Sequence, residues 1–270
     1  MRVFYDGFLT EPRLDHPEGV AVHPDGSVWC GGEAGQLYRI EPDGSAATIV
    51  AATDGFLLGV AIPPAGDAVF ACDVAHRAVF RYDLATGELT KFATGAGGVA
   101  FRNPNAIAFS RDGSALYVTD SYPPEEPGPS VFRFGLDGAG EIWYGEPSAF
   151  ANGVALAPDG SALYVAESFL PGVRRIAIDP VTGAAGEREL VAELPGTVPD
   201  GLAFGPDGLL YVGCYEPSQV LSIDSDGSVR VVAHDPTAHV LCHPTNLAFR
   251  PDGSLVTANL GRWHLTAVKP

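Results

Sequence analysis

The stretch VPDGLAFGPDGLLYVG, residues Val198–Gly213, contains two short apolar runs separated by the turn signal Pro206-Asp207-Gly208. Asp and Gly suit the dihedral angles of a tight turn, so this stretch predicts a β-hairpin. The same pattern of apolar strand, turn and apolar strand begins at residues 19, 59, 106, 153, 201 and 246. The steps are 40, 47, 47, 48 and 45 residues, which indicates an internal repeat.

Two further candidate strands follow these hairpins, as in SVFRFGLDG and EIWYGEP. Four antiparallel strands repeated every ~40 to 50 residues are typical of β-propeller blades around a central channel. The sixth repeat ends after three strands at WHLTAVKP, while the chain begins with the isolated strand MRVFYDGF. We therefore predict an all-β, six-bladed β-propeller with four antiparallel strands per blade, forming a single domain over residues 1–270. The N-terminal strand would close the last blade and remove its exposed edge.

Composition limits the class of partner. The chain has 270 residues, 46% of them hydrophobic, and its formal net charge of -17 repels nucleic acid and anionic lipid. No segment approaches the roughly 18 apolar residues that a membrane-spanning helix requires. We expect a cytoplasmic protein, monomeric or weakly homo-oligomeric, that acts on a small molecule. The cysteines lie far apart without a CxxC pair, which predicts buried free thiols.

One residue in each repeat lies just before the innermost strand, which lines the channel in a propeller. We call this set the channel ring; it consists of Glu18, Leu58, Asn105, Asn152, Asp200 and Thr245. Any one of them could be an ordinary turn residue before a strand. Together, however, two carboxylates and two amide carbonyls at one point would repel or stay unsatisfied without a cation. The sequence therefore predicts one divalent cation, bound by Glu18, Asn105, Asn152 and Asp200.

The ligand type narrows the identity of this cation. Oxygen-only ligation favours calcium (Ca²⁺), which accepts six to eight oxygen ligands at flexible distances. Magnesium, manganese, zinc and iron(II) stay open, although zinc usually recruits His or Cys. A catalytic cation would polarise a carbonyl and lower the pKa of water, which suits hydrolysis of a cyclic ester. Asp200 could then act as general base as well as ligand, with a separate base as the alternative.

Four motifs also resemble a known family: HPEGVAV, RNPNAIAF, FANGVALAPDGSALYVAES and VPDGLAFGPDGLLYVG. They look like those of the SMP-30/gluconolactonase/luciferin-regenerating-enzyme family, in the wider group with paraoxonases, diisopropyl fluorophosphatase and strictosidine synthase. The resemblance implies a six-bladed propeller with one catalytic divalent cation held by the same four residues. It also implies that Arg102 contacts the substrate. The stretch HPEGVAVHPDGSVWCGGEAGQLYRI is similar to the strictosidine-synthase-like branch as well.

The substrate mouth is predicted from topology. Entry into the inner strand and the connection between the second and third strands lie on one face, because antiparallel strands alternate direction. The longest of these loops, Ser121–Ser130, is rich in Pro and would form a wall or partial lid, or else a solvated insertion. Aromatic residues in the mouth loops could line a pocket or pack between blades; they are Tyr122, Phe169, Tyr215 and Trp263.

Polar residues near the mouth have competing interpretations. A histidine there could transfer protons or could simply be hydrogen-bonded between blades; the candidates are His16, His76 and His243. Recurring residues at the ends of the second strands are expected to hold the next loop through backbone N–H groups; they are Asp73, Asp120, Glu167 and Asn259.

Three functional hypotheses follow from this pattern. The leading one is a metal-dependent hydrolase, a lactonase that opens a small cyclic ester with a Ca²⁺-type cation at the channel mouth. The second is a lyase or cyclase of biosynthetic metabolism on a strictosidine synthase-like propeller. The third is a non-catalytic binding propeller that the cation only stabilises. Free coordination positions at an open channel favour the first.

Overall fold

The computed structural model describes residues 1–270 as strands joined by turns and loops, without a helix. The strands, in chain order, are β1 Arg2–Asp6, β2 Val20–Val22, β3 Val28–Gly31, β4 Gln36–Ile40, β5 Ala47–Ala52, β6 Leu57–Ala61, β7 Ala68–Asp73, β8 Ala78–Asp83, β9 Leu89–Ala93, β10 Gly95–Ala96, β11 Val99–Ala100, β12 Pro104–Phe109, β13 Ala115–Asp120, β14 Val131–Gly135, β15 Gly140–Tyr144, β16 Ala151–Leu156, β17 Ala162–Glu167, β18 Gly172–Ile178, β19 Ala185–Glu193, β20 Val198–Phe204, β21 Leu210–Glu216, β22 Gln219–Ile223, β23 Val229–His234, β24 Pro244–Phe249, β25 Leu255–Asn259 and β26 His264–Val268. A helix that could span a membrane is therefore not found in this structure.

The strands form the six-bladed β-propeller predicted from the repeat. Each of six antiparallel sheets has four strands: β2–β5, β6–β9, β12–β15, β16–β19, β20–β23, and β24–β26 with β1. We number these sheets as blades 1 to 6. The short hairpin β10–β11 between blades 2 and 3 was not predicted, because its two-residue strands have no periodicity to detect.

The two ends of the chain complete blade 6 together, as predicted. Strand β1 pairs antiparallel with β26, from Arg2 opposite Ala267 to Asp6 opposite His264. Phe4 and Tyr5 of β1 are buried in the same apolar cluster as residues of blades 1 and 6. Closure therefore pairs the edge of blade 6 and also contributes apolar surface to the core.

The repeated PDG turns have a local explanation. In blade 4, Asp159 Oδ1 accepts a hydrogen bond of 2.9 Å from the backbone N–H of Ser161, two residues further on. Gly160 between them has a φ of 78°, a left-handed conformation that suits glycine. This turn joins the first strand to the second at the end of the blade opposite the mouth.

The core lies between neighbouring blades. Phe70 of β7 meets Phe92 of β9 and Phe109 of β12 edge to face, with ring centroids 5.1 and 5.3 Å apart. All six residues of β7 and all six of β13 are buried. The four cysteines are free and buried, as predicted. This packing fixes the blades relative to one another and thereby fixes the inner strands.

Candidate functional site

Five of the six channel-ring residues are positioned by β-bulges. In blade 4, Ala151 pairs with Glu167 and the next pair is Val154 with Val165, so Asn152 and Gly153 are left out of the ladder. The same irregularity recurs at the start of β6, β12, β20 and β24. A bulge redirects side chains, which explains how these residues can point into the channel.

The predicted position relative to the strands was therefore wrong for five of the six residues. Only Glu18 precedes its inner strand, while Leu58, Asn105, Asn152, Asp200 and Thr245 lie within theirs. The apolar run visible in the sequence begins only after the bulge, although the strand itself begins before it.

The backbones of the ring positions contact one another in order around the channel. The Cα of Gly59 lies against the carbonyl of Asn105, and that of Gly153 lies against the carbonyl of Asp200, so a Cβ at either glycine would collide. The ring closes where the backbone N–H of Asn246 donates to the carbonyl of Glu18 at 3.3 Å. Glycine thus permits the close approach that holds the ring residues around one centre.

The predicted ligands are buried, and several of their oxygens have no partner. Each of the four side chains belongs to a residue only 4–7% exposed: Glu18, Asn105, Asn152 and Asp200. The acceptors without a hydrogen bond are Asn105 Oδ1, Asn152 Oδ1 and Asp200 Oδ1. An unsatisfied buried polar group costs about 1–3 kcal/mol. Three such oxygens in one ring, beside a second carboxylate, fit an oxygen-liganded cation.

The two carboxyl groups resist being charged together. Burial, and then the charge of Asp200, raise the pKa of Glu18 well above its usual range, against an opposing hydrogen bond from Asn246. Burial raises the pKa of Asp200 to about 7, although a side-chain hydrogen bond from Asn152 opposes the shift. The charge of Asp200 acts on Glu18 from a different blade, and Asn246, which donates to Glu18, also lies against Gly201 beside Asp200, so the two residues border the same part of the ring. A cation there would favour the ionised form of both groups.

Asn246 was missed by the sequence analysis. Its Nδ2 donates to the carboxylate Oε2 of Glu18 at 3.3 Å, whereas Thr245, the predicted ring member, uses its hydroxyl on the backbone carbonyl of Glu18. In blade 6 the side chain that reaches the predicted ligands is therefore one residue later in the bulge. No signal in the repeat distinguishes these two positions.

Arg102 and Tyr122 lie at the 121–130 loop. The Arg102 guanidinium Nη2 is 2.7 Å from Glu126 Oε2, and its backbone N–H donates to the Asp120 carboxylate at 2.8 Å. The ring of Tyr122 lies directly against Gly128, and burial followed by the charge of Asp120 raises the Tyr122 pKa to about 12. These contacts anchor the 121–130 loop beside the channel ring. They also mean that Arg102 already has an anionic partner.

Phe169 lies in a mouth loop of blade 4, and His243 lies at the entry to the inner strand of blade 6. Tyr215 was predicted in a mouth loop, but it lies near the end of β21 in blade 5. Phe169 is 52% exposed and packs on Phe150 with ring centroids 4.6 Å apart. Tyr215 stacks on His243 at 4.6 Å, and His243 Nδ1 is 3.0 Å from the Tyr215 carbonyl oxygen. Because a carbonyl only accepts, Nδ1 carries the proton in this arrangement. Both aromatic pairs retain accessible surface.

The remaining candidates are engaged in local contacts. His16 Nδ1 is 3.0 Å from the Leu260 carbonyl oxygen, and its ring meets Trp263 edge-on at 5.0 Å. His76 Nδ1 is 3.0 Å from Asp73 Oδ2. Asp15, His16 and Glu33 bring ligand atoms within 4.8 Å of one another. However, Asp15 Oδ2 accepts from the Ala34 N–H, so this group has a structural explanation.

Of the four polar residues that end the second strands, one makes the predicted contact and three differ from the prediction. Asp73 accepts from the N–H of His76 in the next loop, as predicted. Asp120 instead accepts from the N–H of Asn103, and Asn259 from that of Cys242, both before the inner strand. Glu167 binds side chains: its Oε2 is 2.9 Å from Arg174 Nε, and its Oε1 is 3.6 Å from Arg188 Nη1.

Comparison with known proteins agrees with this architecture. A gluconolactonase from Xanthomonas campestris is similar over 98% of this chain and 88% of its own, with 24% identity and a TM-score of 0.77. The calcium-binding protein regucalcin from Agrobacterium tumefaciens is similar over 100% and 92%, with 18% identity and a TM-score of 0.73. Virginiamycin B lyase from Staphylococcus aureus is similar over 97% of this chain and 81% of its own, with 18% identity and a TM-score of 0.66.

At these identities the solved structures support the fold alone. No curated protein matches the sequence. The family described as SMP-30/Gluconolactonase/LRE-like region matches residues 17–255, a span that includes all four predicted ligands and most of the propeller. The chain therefore belongs to the SMP-30/gluconolactonase/LRE-like family.

Proposed function

We propose that this protein is a divalent-metal-dependent hydrolase, a lactonase that opens a small cyclic ester at the channel ring. Its cation is Ca²⁺, held by Glu18, Asn105, Asn152 and Asp200. The observation that carries the proposal is the set of buried acceptors without partners, Asn105 Oδ1, Asn152 Oδ1 and Asp200 Oδ1, beside the Glu18 carboxylate. Hard oxygen donors of this kind are what calcium prefers. Family membership supports lactonase-type chemistry on this scaffold.

The chemistry divides between the cation and the side chains. A bound divalent cation supplies Lewis-acid polarisation of the ester carbonyl. The Asp200 carboxylate would also serve as general base and take the proton of the attacking water. The acyl C–O bond of the ring then breaks, and the ring oxygen takes up a proton and becomes the hydroxyl of a hydroxy acid. One water is consumed for each ester opened.

The mouth residues would position the substrate. Phe169 and Tyr215 offer accessible aromatic faces for the apolar part of a small ring. Arg102 would contact a polar substituent by sharing or exchanging its ion pair with Glu126. His243 would orient Tyr215 through their stacked contact.

The proposal is tested by screening sugar, aliphatic and aromatic lactones with the purified protein, in calcium and in chelator, and measuring acid release by pH-stat. We expect acid release that calcium restores after chelation. Running the reaction in ¹⁸O-labelled water distinguishes hydrolysis from the lyase alternative. Hydrolysis places one solvent oxygen in the new carboxylate, whereas elimination places none. Turnover without label, or no turnover under any divalent cation, would contradict the hydrolase assignment.

A further inference from the structure

Two serines hold the amide groups of the two ring asparagines. Asn105 Nδ2 donates to Ser121 Oγ at 3.0 Å, and Asn152 Nδ2 donates to Ser168 Oγ at 3.1 Å. Ser121 and Ser168 are the first residues after β13 and β17, and both are buried. The separation in sequence is 16 residues in each case, so blades 3 and 4 use the same arrangement.

The direction of these hydrogen bonds is determined by what lies on the other side of each hydroxyl. Ser121 Oγ donates to the carbonyl of Ala151 at 2.6 Å, and Ser168 Oγ donates to the carbonyl of Pro199 at 2.7 Å. A hydroxyl has a single hydrogen, and a carbonyl can only accept. Because the serine donates its hydrogen to that carbonyl, its hydroxyl oxygen can only accept a hydrogen bond from the asparagine. The NH₂ group must therefore face the serine, and the carbonyl oxygen must face the channel.

The same bonds connect successive predicted ligands. Ala151 directly precedes Asn152, and Pro199 directly precedes Asp200. Each serine thus ties the side chain of one ring residue to the backbone that presents the next. The series runs from blade 3 through blade 4 to blade 5.

The serines occur only where the ring residue is an amide. In five blades, the residue just before the ring position pairs with a residue at or near the end of the second strand. The next residue along the chain after that partner occupies the position equivalent to the serines. These residues are Val74, Ser121, Ser168, Tyr215 and Leu260. The corresponding ring residues are Leu58, Asn105, Asn152, Asp200 and Thr245. Only an amide has two chemically different ends whose orientation must be chosen.

We propose that Ser121 and Ser168 are positioning residues that fix the amide orientation of Asn105 and Asn152, so that both carbonyl oxygens face the channel as cation ligands. This rests on the proposed cation site. Without the serine, the amide can rotate and present its NH₂ group to the cation. Loss of an outer hydrogen-bond partner of a ligand typically weakens metal affinity about 10- to 100-fold.

The test is calcium affinity, measured by calorimetry and by terbium luminescence, which does not depend on turnover. We expect Ser121→Ala and Ser168→Ala each to weaken calcium binding roughly 10-fold or more. The control is Ser130→Ala: Ser130 is buried and its hydroxyl also donates to a backbone carbonyl, that of Glu146, but it touches no ring asparagine. That variant should bind calcium as the parent does. Melting temperatures in chelator verify that all three variants are folded.

A second variant separates orientation from packing. A carboxylate at position 152 has two equivalent oxygens and no orientation to choose, so Ser168→Ala should have little effect in an Asn152→Asp background. An equal loss in both backgrounds would overturn the positioning role. Parent-like affinity in both serine variants would also overturn it while leaving the proposed function intact. A parent that binds no divalent cation would overturn both. Normal cation affinity that depends on the serines, without lactonase activity, supports the positioning role and contradicts the function alone.

Discussion

Asp200 and Asp235 are equally buried, with 7% and 6% of their surface exposed, yet their surroundings differ completely. Asp235 lies on the segment that leads into β24. Its carboxylate accepts hydrogen bonds of 2.7–3.2 Å from the Thr237 hydroxyl and from four backbone N–H groups, those of Thr237, His239, Val240 and Leu241. Asp200 Oδ1 accepts none. The Asp235 carboxylate is satisfied by its own loop, whereas the Asp200 carboxylate keeps a buried oxygen without a donor.

The pKa values diverge accordingly. Burial alone would raise the pKa of Asp235, but the hydrogen bonds from Thr237, Val240 and Leu241 outweigh it and lower the pKa. Burial raises the pKa of Asp200 to about 7, because little opposes it. The side-chain and backbone donors to the Asp235 carboxylate all lie within six residues of it, whereas Asp200 is a member of the channel ring. A buried carboxylate therefore indicates function only when its oxygens are also unpaired.

Measuring turnover is the strongest test of the difference between Asp200 and Asp235. Asp200→Asn keeps a ligand oxygen but cannot accept a proton from water, so turnover should fall about 10²-fold or more. Asp235→Asn should leave the turnover of the folded fraction unchanged. Initial rates on the best lactone, in saturating calcium and corrected for folded protein, measure both.

A matched control lies at the far end of blade 5. Asp207 is exposed in a PDG turn, where its carboxylate accepts from the N–H of Leu209 and the hydroxyl of Tyr211. Asp207→Asn should therefore preserve turnover. If Asp200→Asn and Asp207→Asn lose activity equally, Asp200 has no special part in the chemistry.

Calcium should stabilise the parent by about 2.7 kcal/mol at a hundredfold excess over the dissociation constant, because it binds only the folded state. Chelator should lower the melting temperature, and added calcium should restore it. Asp235→Asn should keep this response, while Asp200→Asn should reduce it. Differential scanning calorimetry at several calcium concentrations measures the response. Equal calcium dependence in both variants would show that Asp200 is not a ligand.

Sequence reasoning succeeded where local chemistry repeats along the chain. The PDG turns and alternating strands predicted six blades, and the leftover strand at Arg2–Asp6 predicted their closure. The carboxylate and amide residues of the ring were also visible as a register. The β-bulges could not be predicted, because they depend on how each inner strand pairs with the second strand of its blade. Neither Asn246 nor the two serines could be assigned, since their roles depend on hydrogen bonds to residues 16 or more positions away.

Asp235→Asn should lower the free energy of unfolding by about 2 kcal/mol, because an NH₂ group then faces backbone donors that need an acceptor. Urea unfolding at pH 7 measures this loss, with the exposed Asp226→Asn as control. The folded-state pKa of Asp235 lies below its unfolded value. Its contribution is therefore fully present above the unfolded pKa, near 3.9, and is lost as the pH falls through the folded pKa. The free energies of unfolding of the parent and of Asp235→Asn should therefore converge in acid. A difference that stays constant with pH would contradict the role of the Asp235 charge.

The smallest expected effect depends most directly on the channel ring. It is a gain in the free energy of unfolding rather than a loss. Because pH 8 lies above the Asp200 pKa of about 7, the buried Asp200 carboxylate is ionised there, and without a cation this buried charge opposes folding. Asp200→Asn removes this buried charge. The variant should therefore be more stable than the parent by at least about 1 kcal/mol in urea unfolding. Saturating calcium should reverse the order, because only the parent then has the full ligand charge. If Asp200 were not a calcium ligand, the difference between the two proteins would be the same with and without calcium.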